Sequence, residues 1–150
     1  MKIEEAIQQS TFQDEYHKLH INILFTASWL TQLTTSILKP FNLSMQQFNI
    51  LRILKGRRPE SATVKYLTER MIDKMSNASR LVEKLKQKGF VERISCPEDR
   101  RRVNITITAA GLEIVEEASQ VLQEEMTAKI SKLSIEEAKM VSDILDKLRA

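Results

Sequence analysis

The sequence is poor in residues that interrupt helices and in residues that crosslink chains. Its 150 residues include three glycines, three prolines and one cysteine, and aromatic side chains make up only 5%. So few glycines and prolines predict a mostly helical protein with short connections. A single cysteine excludes an intrachain disulfide and a cysteine-built zinc site, which favours the reducing cytoplasm. No apolar run approaches the roughly 20 residues of a membrane span, so we expect no contact with a membrane.

Motifs that carry out catalysis are also missing. There is no Gly-rich phosphate loop, no H-E-x-x-H motif and no serine or cysteine with an evident base. His17 and His20 are three residues apart on a predicted helix and could meet on one face. Without a fixed third ligand, exposed or interface histidines are the better interpretation. We therefore expect a protein that is not an enzyme and that has neither a metal site nor a cofactor.

Positive charge is concentrated in the middle third of the chain. Residues 51–102 contain fifteen basic and seven acidic side chains, a net charge of +8. Residues 1–50 have a net charge of −1 and residues 103–150 one of −4, so the whole chain has only +3. This distribution predicts that the middle segment binds a polyanion while the flanking segments serve another purpose.

Helix starts can be located from side chains that cap helices. Six such side chains precede apolar patterns of helical period: Ser10, Ser44, Thr63, Asp73, Thr108 and Ser134. The first helix is predicted to extend from its cap to about Lys39, because Pro40 stops it. The short helix after Thr63, the turn at Ile72 and the helix after Asp73 follow the order of a helix-turn-helix.

A change of period after Gly89 predicts a β-hairpin. Phe90–Ile94 and Val103–Thr108 are short and rich in β-branched residues, as strands are. The segment between them contains Pro97, two acidic residues and three consecutive arginines, which suits a hairpin loop with a cationic tip. The predicted fold class is therefore mainly α with a small β-hairpin.

A basic helix followed at once by an arginine-tipped hairpin predicts DNA binding. The helix start has short or hydrogen-bonding side chains that could approach base edges, namely Ser76, Asn77, Ser79 and Arg80. Lys74, Lys84, Lys86 and Lys88 suit phosphates, which position a protein without reading sequence. Arg100, Arg101 and Arg102 suit a DNA backbone or a minor groove. Asp99 is expected to orient one arginine through a bidentate pair, and the alternative is that it simply forms the turn. For the helix alone, a solvated polar surface is the alternative.

These segments resemble the MarR family of bacterial transcription regulators. The resemblance extends from about Leu43 to Gly111 and rests on five stretches: Leu43–Leu51, Leu67–Met71, Ser76–Leu85, Gly89–Arg93 with Pro97–Arg101, and Ile107–Gly111. They are similar to the family's second helix, helix-turn-helix, recognition helix, strand with wing, and entry into the fifth helix. Two residues depart from the pattern, because Ile72 and Met75 stand where a glycine and a polar residue are usual.

The resemblance implies one domain of residues 1–150 that dimerises. A winged helix-turn-helix module of about residues 40–108 would bind DNA, and terminal helices of about residues 10–39 and 109–150 would pair two copies. Each recognition helix would enter the major groove of a pseudo-palindromic operator and each wing a minor groove. The family's acidic-x-arginine pair in the wing would fall on Asp99 and Arg101. On residues alone, the terminal helices could instead pack on the central module of their own chain.

The resemblance further implies a repressor that a small, often aromatic, effector releases from DNA. We expect the effector pocket between the terminal helices and the DNA-binding module, near Phe25, Trp29, Phe41 and Phe48, although these aromatics could be plain core. Two alternatives remain open. The winged helix could dock a protein instead of DNA, or the chain could be a redox sensor acting through Cys96, for which an incidental cysteine is the simpler interpretation.

Overall fold

A computed structural model describes residues 1–99 and 101–150, and Arg100, a predicted DNA contact, lies outside them. The helices and strands follow in this order: α1 (Ile3–Ala6), α2 (Glu15–Leu38), a 3-10 turn (Lys39–Phe41), α3 (Met45–Arg57), β1 (Ala62–Thr63), α4 (Val64–Arg70), α5 (Ala78–Gln87), β2 (Val91–Ser95), β3 (Val103–Ile107), α6 (Ala109–Ile130) and α7 (Ile135–Arg149). The hairpin of β2 and β3, with its loop, is the wing. This arrangement confirms the predicted fold class, a mainly helical winged helix-turn-helix.

Four of the six predicted caps are confirmed. Each of these hydroxyls accepts a hydrogen bond from the backbone N–H three residues later, at 3.1 Å: Ser44, Thr63, Thr108 and Ser134. Ser44 and Ser134 each complete a capping box with the Gln or Glu at the third helical position. These bonds fix where α3, α4, α6 and α7 begin.

Two predicted caps are wrong. Asp14, not Ser10, caps α2, and its carboxylate accepts a hydrogen bond from the backbone N–H of His17 over 2.7 Å. A carboxylate also suits the positive end of a helix better than a hydroxyl does. The recognition helix α5 is capped by Asn77 rather than Asp73, and its side-chain oxygen accepts from the backbone N–H of Arg80 over 3.1 Å. The carboxylate of Asp73 is used inside the preceding turn.

The sheet has one more strand than the sequence predicted. The three strands pair antiparallel in the order β1-β3-β2, with Ala62 opposite Ile105 and Arg93 opposite Ile105 on the other side. The third strand, β1, was missed because two residues are too short to show an alternating pattern. It ties the start of α4 to the wing.

One hydrophobic core joins α3, α4, α5, the sheet and the first turns of α6. Its fully buried side chains come from each of these elements: Leu51, Leu67, Val82, Leu85, Ile105 and Val115. Gly89, with φ 77°, ends α5 in the left-handed conformation that glycine adopts most easily. The chain can then turn straight from α5 into β2, which places the wing next to the recognition helix.

The terminal helices leave much apolar surface uncovered. No residue of α7 is buried against the rest of the described chain. On α2, Tyr16 is 84% exposed and Trp29 is 43% exposed. None of the described helices is long and apolar enough to cross a membrane.

Candidate nucleic-acid interface

The start of α5 presents a polar face to solvent. Ala78, Val82 and Leu85 turn towards the core, so the helical repeat leaves Ser79 and Lys84 exposed on the other side. Arg80 and Asn77 are exposed too, although the Asn77 side-chain oxygen is already used in capping. Four of the predicted DNA contacts therefore lie together on an accessible surface.

Two further predicted contacts are placed differently. The Ser76 hydroxyl is buried and makes no hydrogen bond of good geometry with any residue that the structure describes. It lies close enough to Asp73 to help lower the pKa of that carboxyl, so it faces the turn and does not suit a base contact. The Lys74 ammonium donates a hydrogen bond to the carbonyl oxygen of Glu69, and its side chain stays exposed at the end of α4.

The turn between α4 and α5 is held by two side chains. The Asp73 carboxylate accepts a hydrogen bond of 3.0 Å from the backbone N–H of Met75, and this bond is the main cause that lowers the pKa of Asp73. The side-chain oxygen of Asn49 on α3 accepts a bond of 2.9 Å from the backbone N–H of Ile72. The side chains of Ile72 and Met75 are left 86% and 93% exposed. These are the two residues that depart from the family pattern.

The wing loop is shaped by Asp99 through hydrogen bonds to the backbone. Its carboxylate accepts a hydrogen bond of 2.9 Å from the backbone N–H of Arg101. Its carbonyl oxygen accepts one from the backbone N–H of Arg102, also at 2.9 Å. Among the described residues, Asp99 forms no ion pair with an arginine. An aspartate readily bonds the backbone N–H two residues ahead, so Asp99 fixes the turn.

A cationic groove of about 320 Å³ lies at the root of the wing. Its walls, here called the wing-root groove, are Thr63, Val64, Lys65, Arg93, Arg101, Arg102 and Val103. Lys65 and Arg93 were not singled out in the sequence. Lys65 reaches the groove only because the short strand β1 brings the start of α4 beside the wing, whereas Arg93 lies on β2 of the wing itself. Arg93 also forms an ion pair of 3.0 Å with Glu83 on α5, which joins the wing to the recognition helix.

Cys96 and His17 have local structural partners. The backbone N–H of Cys96 donates a hydrogen bond to the carbonyl oxygen of Arg102 at the base of the wing loop, and its thiol is free and half-buried. The Nδ1 atom of His17 accepts a hydrogen bond of 3.3 Å from the backbone N–H of Gln13. The His17 ring also packs edge-on against Phe12, at 5.7 Å between ring centres. Both residues thus support local backbone structure.

A second groove, of about 570 Å³, lies between the winged helix and the long helices α2 and α6. This inter-helix groove is lined by residues of α2, α3, α6 and the turn before α5: Thr34, Met45, Phe48, Asn49, Arg52, Ile53, Ile72, Leu122 and Met126. Of the four aromatic residues predicted to form an effector pocket, only Phe48 lines it. Phe25 and Trp29 are exposed on α2, and Phe41 packs against the core.

The comparisons with known proteins agree with this geometry. Residues 43–103 match the family model described as MarR family. Over 94 residues, 63% of this chain and 55% of the relative, the sequence is 29% identical to the HTH-type transcriptional repressor IacR of Pseudomonas putida. The matched segments span about half the length of the curated relatives.

Two solved structures share the fold over nearly the whole chain. The organohalide-sensing regulator RdhR, solved with 2,4-dichlorophenol bound, superimposes with a TM-score of 0.83 at 21% identity, covering 94% of this chain and 85% of that one. A cysteine-to-serine mutant of MarR from E. coli, solved with operator DNA, gives a TM-score of 0.77 at 23% identity, covering 93% and 99%. At these identities the likeness shows the fold, which includes the long α2 and α6 as well as the winged helix.

Proposed function

Because residues 43–103 match the model of the MarR family, we propose that this chain is a transcriptional regulator of that family and that it binds double-stranded DNA as a homodimer. The observation that supports this most directly is the accessible basic surface formed by the start of α5 and the wing-root groove. Residues 51–102, which contain the cationic side chains of this surface, have a net charge of +8 between two acidic segments. Positive charge of this kind supplies most of the affinity for a DNA backbone.

The exposed residues divide into base readers and phosphate binders. Ser79 and Arg80, with the free amide hydrogens of Asn77, would face base edges in the major groove. Lys74 and Lys84 would bind phosphates on either side. The wing arginines Arg101 and Arg102 would lie along the backbone or in a minor groove, and Arg100, outside the described residues, is predicted to do the same.

The uncovered apolar side chains of α2 and α7 support the homodimer. On α7 they are spaced as one helical stripe and are between 47% and 61% exposed: Met140, Val141, Ile144 and Leu148. Full burial of one such side chain contributes about 1.5–3 kcal/mol, so the stripe favours association strongly. A two-fold dimer would set the two copies of α5 about 34–36 Å apart, which matches a pseudo-palindromic operator.

We further propose that the protein is a repressor and that a small aromatic effector releases it from DNA. IacR is named as a repressor, and RdhR was solved with a chlorophenol bound. In this chain the inter-helix groove has a suitable size, with apolar walls and three polar side chains, Thr34, Asn49 and Arg52. An effector there would touch α2, α6 and the turn before α5 together. The effector would bind more tightly to a dimer geometry that does not fit the operator, and it would thereby shift the protein towards the DNA-free state.

Selection of duplexes from a random pool by the purified protein tests this function. We expect enrichment of a palindrome with half-sites about one helical turn apart, bound on the order of a thousandfold more tightly than random DNA. Arg101→Ala should weaken that binding, whereas Lys132→Ala, which removes an exposed cation from the α6–α7 turn, should not. If the folded, dimeric protein enriched no sequence, with or without phenolic compounds, the proposal would fail and the protein-docking alternative would take its place.

A further inference from the structure

Lys88, the residue after α5, inserts its ammonium group into the corner between α2 and α3. The group donates hydrogen bonds to the carbonyl oxygen of Asn42 and, over 3.1 Å, to the side-chain oxygen of Gln47. Asn42 ends the 3-10 turn after α2, in the left-handed conformation with φ 54°. Gln47 lies in the first turn of α3 and is only 7% exposed. One side chain thus links the end of the recognition helix to the end of α2.

This ammonium group occupies an unusual environment for a lysine. Its pKa is lowered, chiefly by burial and then by the nearby charge of Lys84. No carboxylate in the described part of the chain pairs with it. The Gln47 oxygen that it meets also accepts a bond of 3.1 Å from the backbone N–H of Ser44, within the capping box of α3. A partly desolvated ammonium group held only by two fixed oxygens strongly favours one position of α5 relative to the α2–α3 corner over slightly shifted positions.

The same end of α5 is tied to α6. The Thr108 hydroxyl donates a hydrogen bond of 2.7 Å to the carbonyl oxygen of Gly89 while it caps α6. The backbone N–H of Thr108 donates another, of 3.0 Å, to the carbonyl oxygen of Phe90. The recognition helix is therefore bound at its C-terminal end to both long helices that would support the dimer. The hydrogen bonds of Lys88 and Thr108 therefore restrain any tilt of the N-terminal end of α5, which would read bases.

We propose that Lys88 is a positioning residue that fixes the angle between α5 and α2 and thereby sets which half-site spacing the dimer accepts. This inference rests on the proposed function, because half-site spacing is defined only for a dimer bound to an operator. Lys88 acts through the α2–α3 corner and does not contact DNA. A flexible link at this position would let each recognition helix tilt, so that operators with longer or shorter spacing would be bound almost as well.

The test measures the affinity of Lys88→Met for the selected operator and for versions with the half-sites moved apart or together by one and two base pairs. The matched control is Lys84→Met, four residues earlier and exposed. Lys84→Met should weaken binding to every spacing equally and reduce the slope of log affinity against log salt by about one. Lys88→Met should leave that slope unchanged and reduce the preference for the best spacing about tenfold, the value of one charge-assisted hydrogen bond.

Circular dichroism and thermal unfolding establish that each variant is folded. If Lys88→Met does not fold, Lys88→Arg keeps the charge but cannot place its donors in the same way, and it should flatten the spacing preference as well. A salt slope reduced as in Lys84→Met, with the spacing preference intact, would make Lys88 a phosphate contact and overturn the proposal. Wild-type spacing preference in a folded variant would also overturn it. If the wild-type protein selects no operator, the proposed function itself has failed.

Discussion

Asn49 on α3 and Ile72 in the turn before α5 are joined by a hydrogen bond of 2.9 Å from the Ile72 backbone N–H to the Asn49 side-chain oxygen. Both residues also line the inter-helix groove. The bond therefore connects the groove directly to the turn that leads into the recognition helix. A ligand that displaced the Ile72 N–H from this oxygen would loosen that turn.

Removal of this bond should loosen the turn and weaken operator binding. In Asn49→Leu, which keeps the side-chain size, the Ile72 N–H loses its acceptor, at a cost of about 1 kcal/mol or about fivefold in affinity. Amide hydrogen exchange at Ile72 and operator titration measure the two effects. Arg52→Ala, in the same groove, should leave Ile72 protected. Unchanged Ile72 protection in Asn49→Leu would disprove the link.

The turn should also respond to acid through Asp73. The pKa of this carboxyl is lowered from its usual value of 3.8, chiefly by the hydrogen bond from the backbone N–H of Met75. Because the pKa is lower in the folded turn, the stabilisation is complete above pH 3.8 and is lost as the pH falls through the lowered value. NMR titration of the Met75 amide should show a midpoint below 3.8, and Asp73→Asn should abolish it. A midpoint at or above 3.8 would contradict this.

Much of the fold could be predicted because its signals are local. A cap and the N–H it binds are three residues apart, so Ser44, Thr63, Thr108 and Ser134 could be located from the sequence alone. The change of period after Gly89 likewise marked the wing. Where two capping residues stand four apart, as Asp73 and Asn77 do, a local pattern cannot choose between them. Here Asp73 bonds within the turn, so Asn77 starts the helix.

The parts of the site that were missed depend on distant contacts. The wing-root groove needs Ala62 to pair with Ile105, across more than forty residues, before Lys65 comes near the wing. The inter-helix groove is formed by residues of α2, α3 and α6, and of the four aromatic residues that the sequence offered only Phe48 lines it. The link from Lys88 to Asn42 spans 46 residues and has no sequence signature. Only packing of the whole chain creates these sites.

A charge on the exposed stripe of α7 should separate the dimer. Ile144, 54% exposed in the single chain, would be buried between copies, so Ile144→Glu would place a carboxylate in that interface. We expect a folded monomer by sedimentation, with operator affinity reduced on the order of a hundredfold or more because one half-site remains. Ser142→Glu, on the opposite side of α7, should remain dimeric. A dimeric Ile144→Glu variant would show that other surfaces pair.

Met75 should contribute base preference without contributing stability. Its side chain is 93% exposed beside the start of α5, and an apolar group there can contact the methyl group of thymine. Met75→Ser should change the free energy of unfolding by less than about 0.5 kcal/mol. Repeated selection should show a weakened preference for thymine at one position of each half-site. Lys132→Ala, in the α6–α7 turn, should leave every base preference unchanged, and an unaltered motif with Met75→Ser would exclude this contact.

Two glycines should respond to alanine in opposite directions. A Cβ at Gly111 would overlap the carbonyl oxygen of Phe90 and lie 2.8 Å from the Ile107 side chain, so α6 would have to move away from the sheet. Gly111→Ala should therefore reduce the free energy of unfolding by about 1–3 kcal/mol or more. A Cβ at Gly56, inside α3, would meet nothing within 4 Å. Gly56→Ala should increase stability by about 0.5–1 kcal/mol, because alanine loses less backbone entropy in a helix. Urea denaturation of both variants measures the difference, and a stable Gly111→Ala protein would mean that α6 does not lie so close to Phe90.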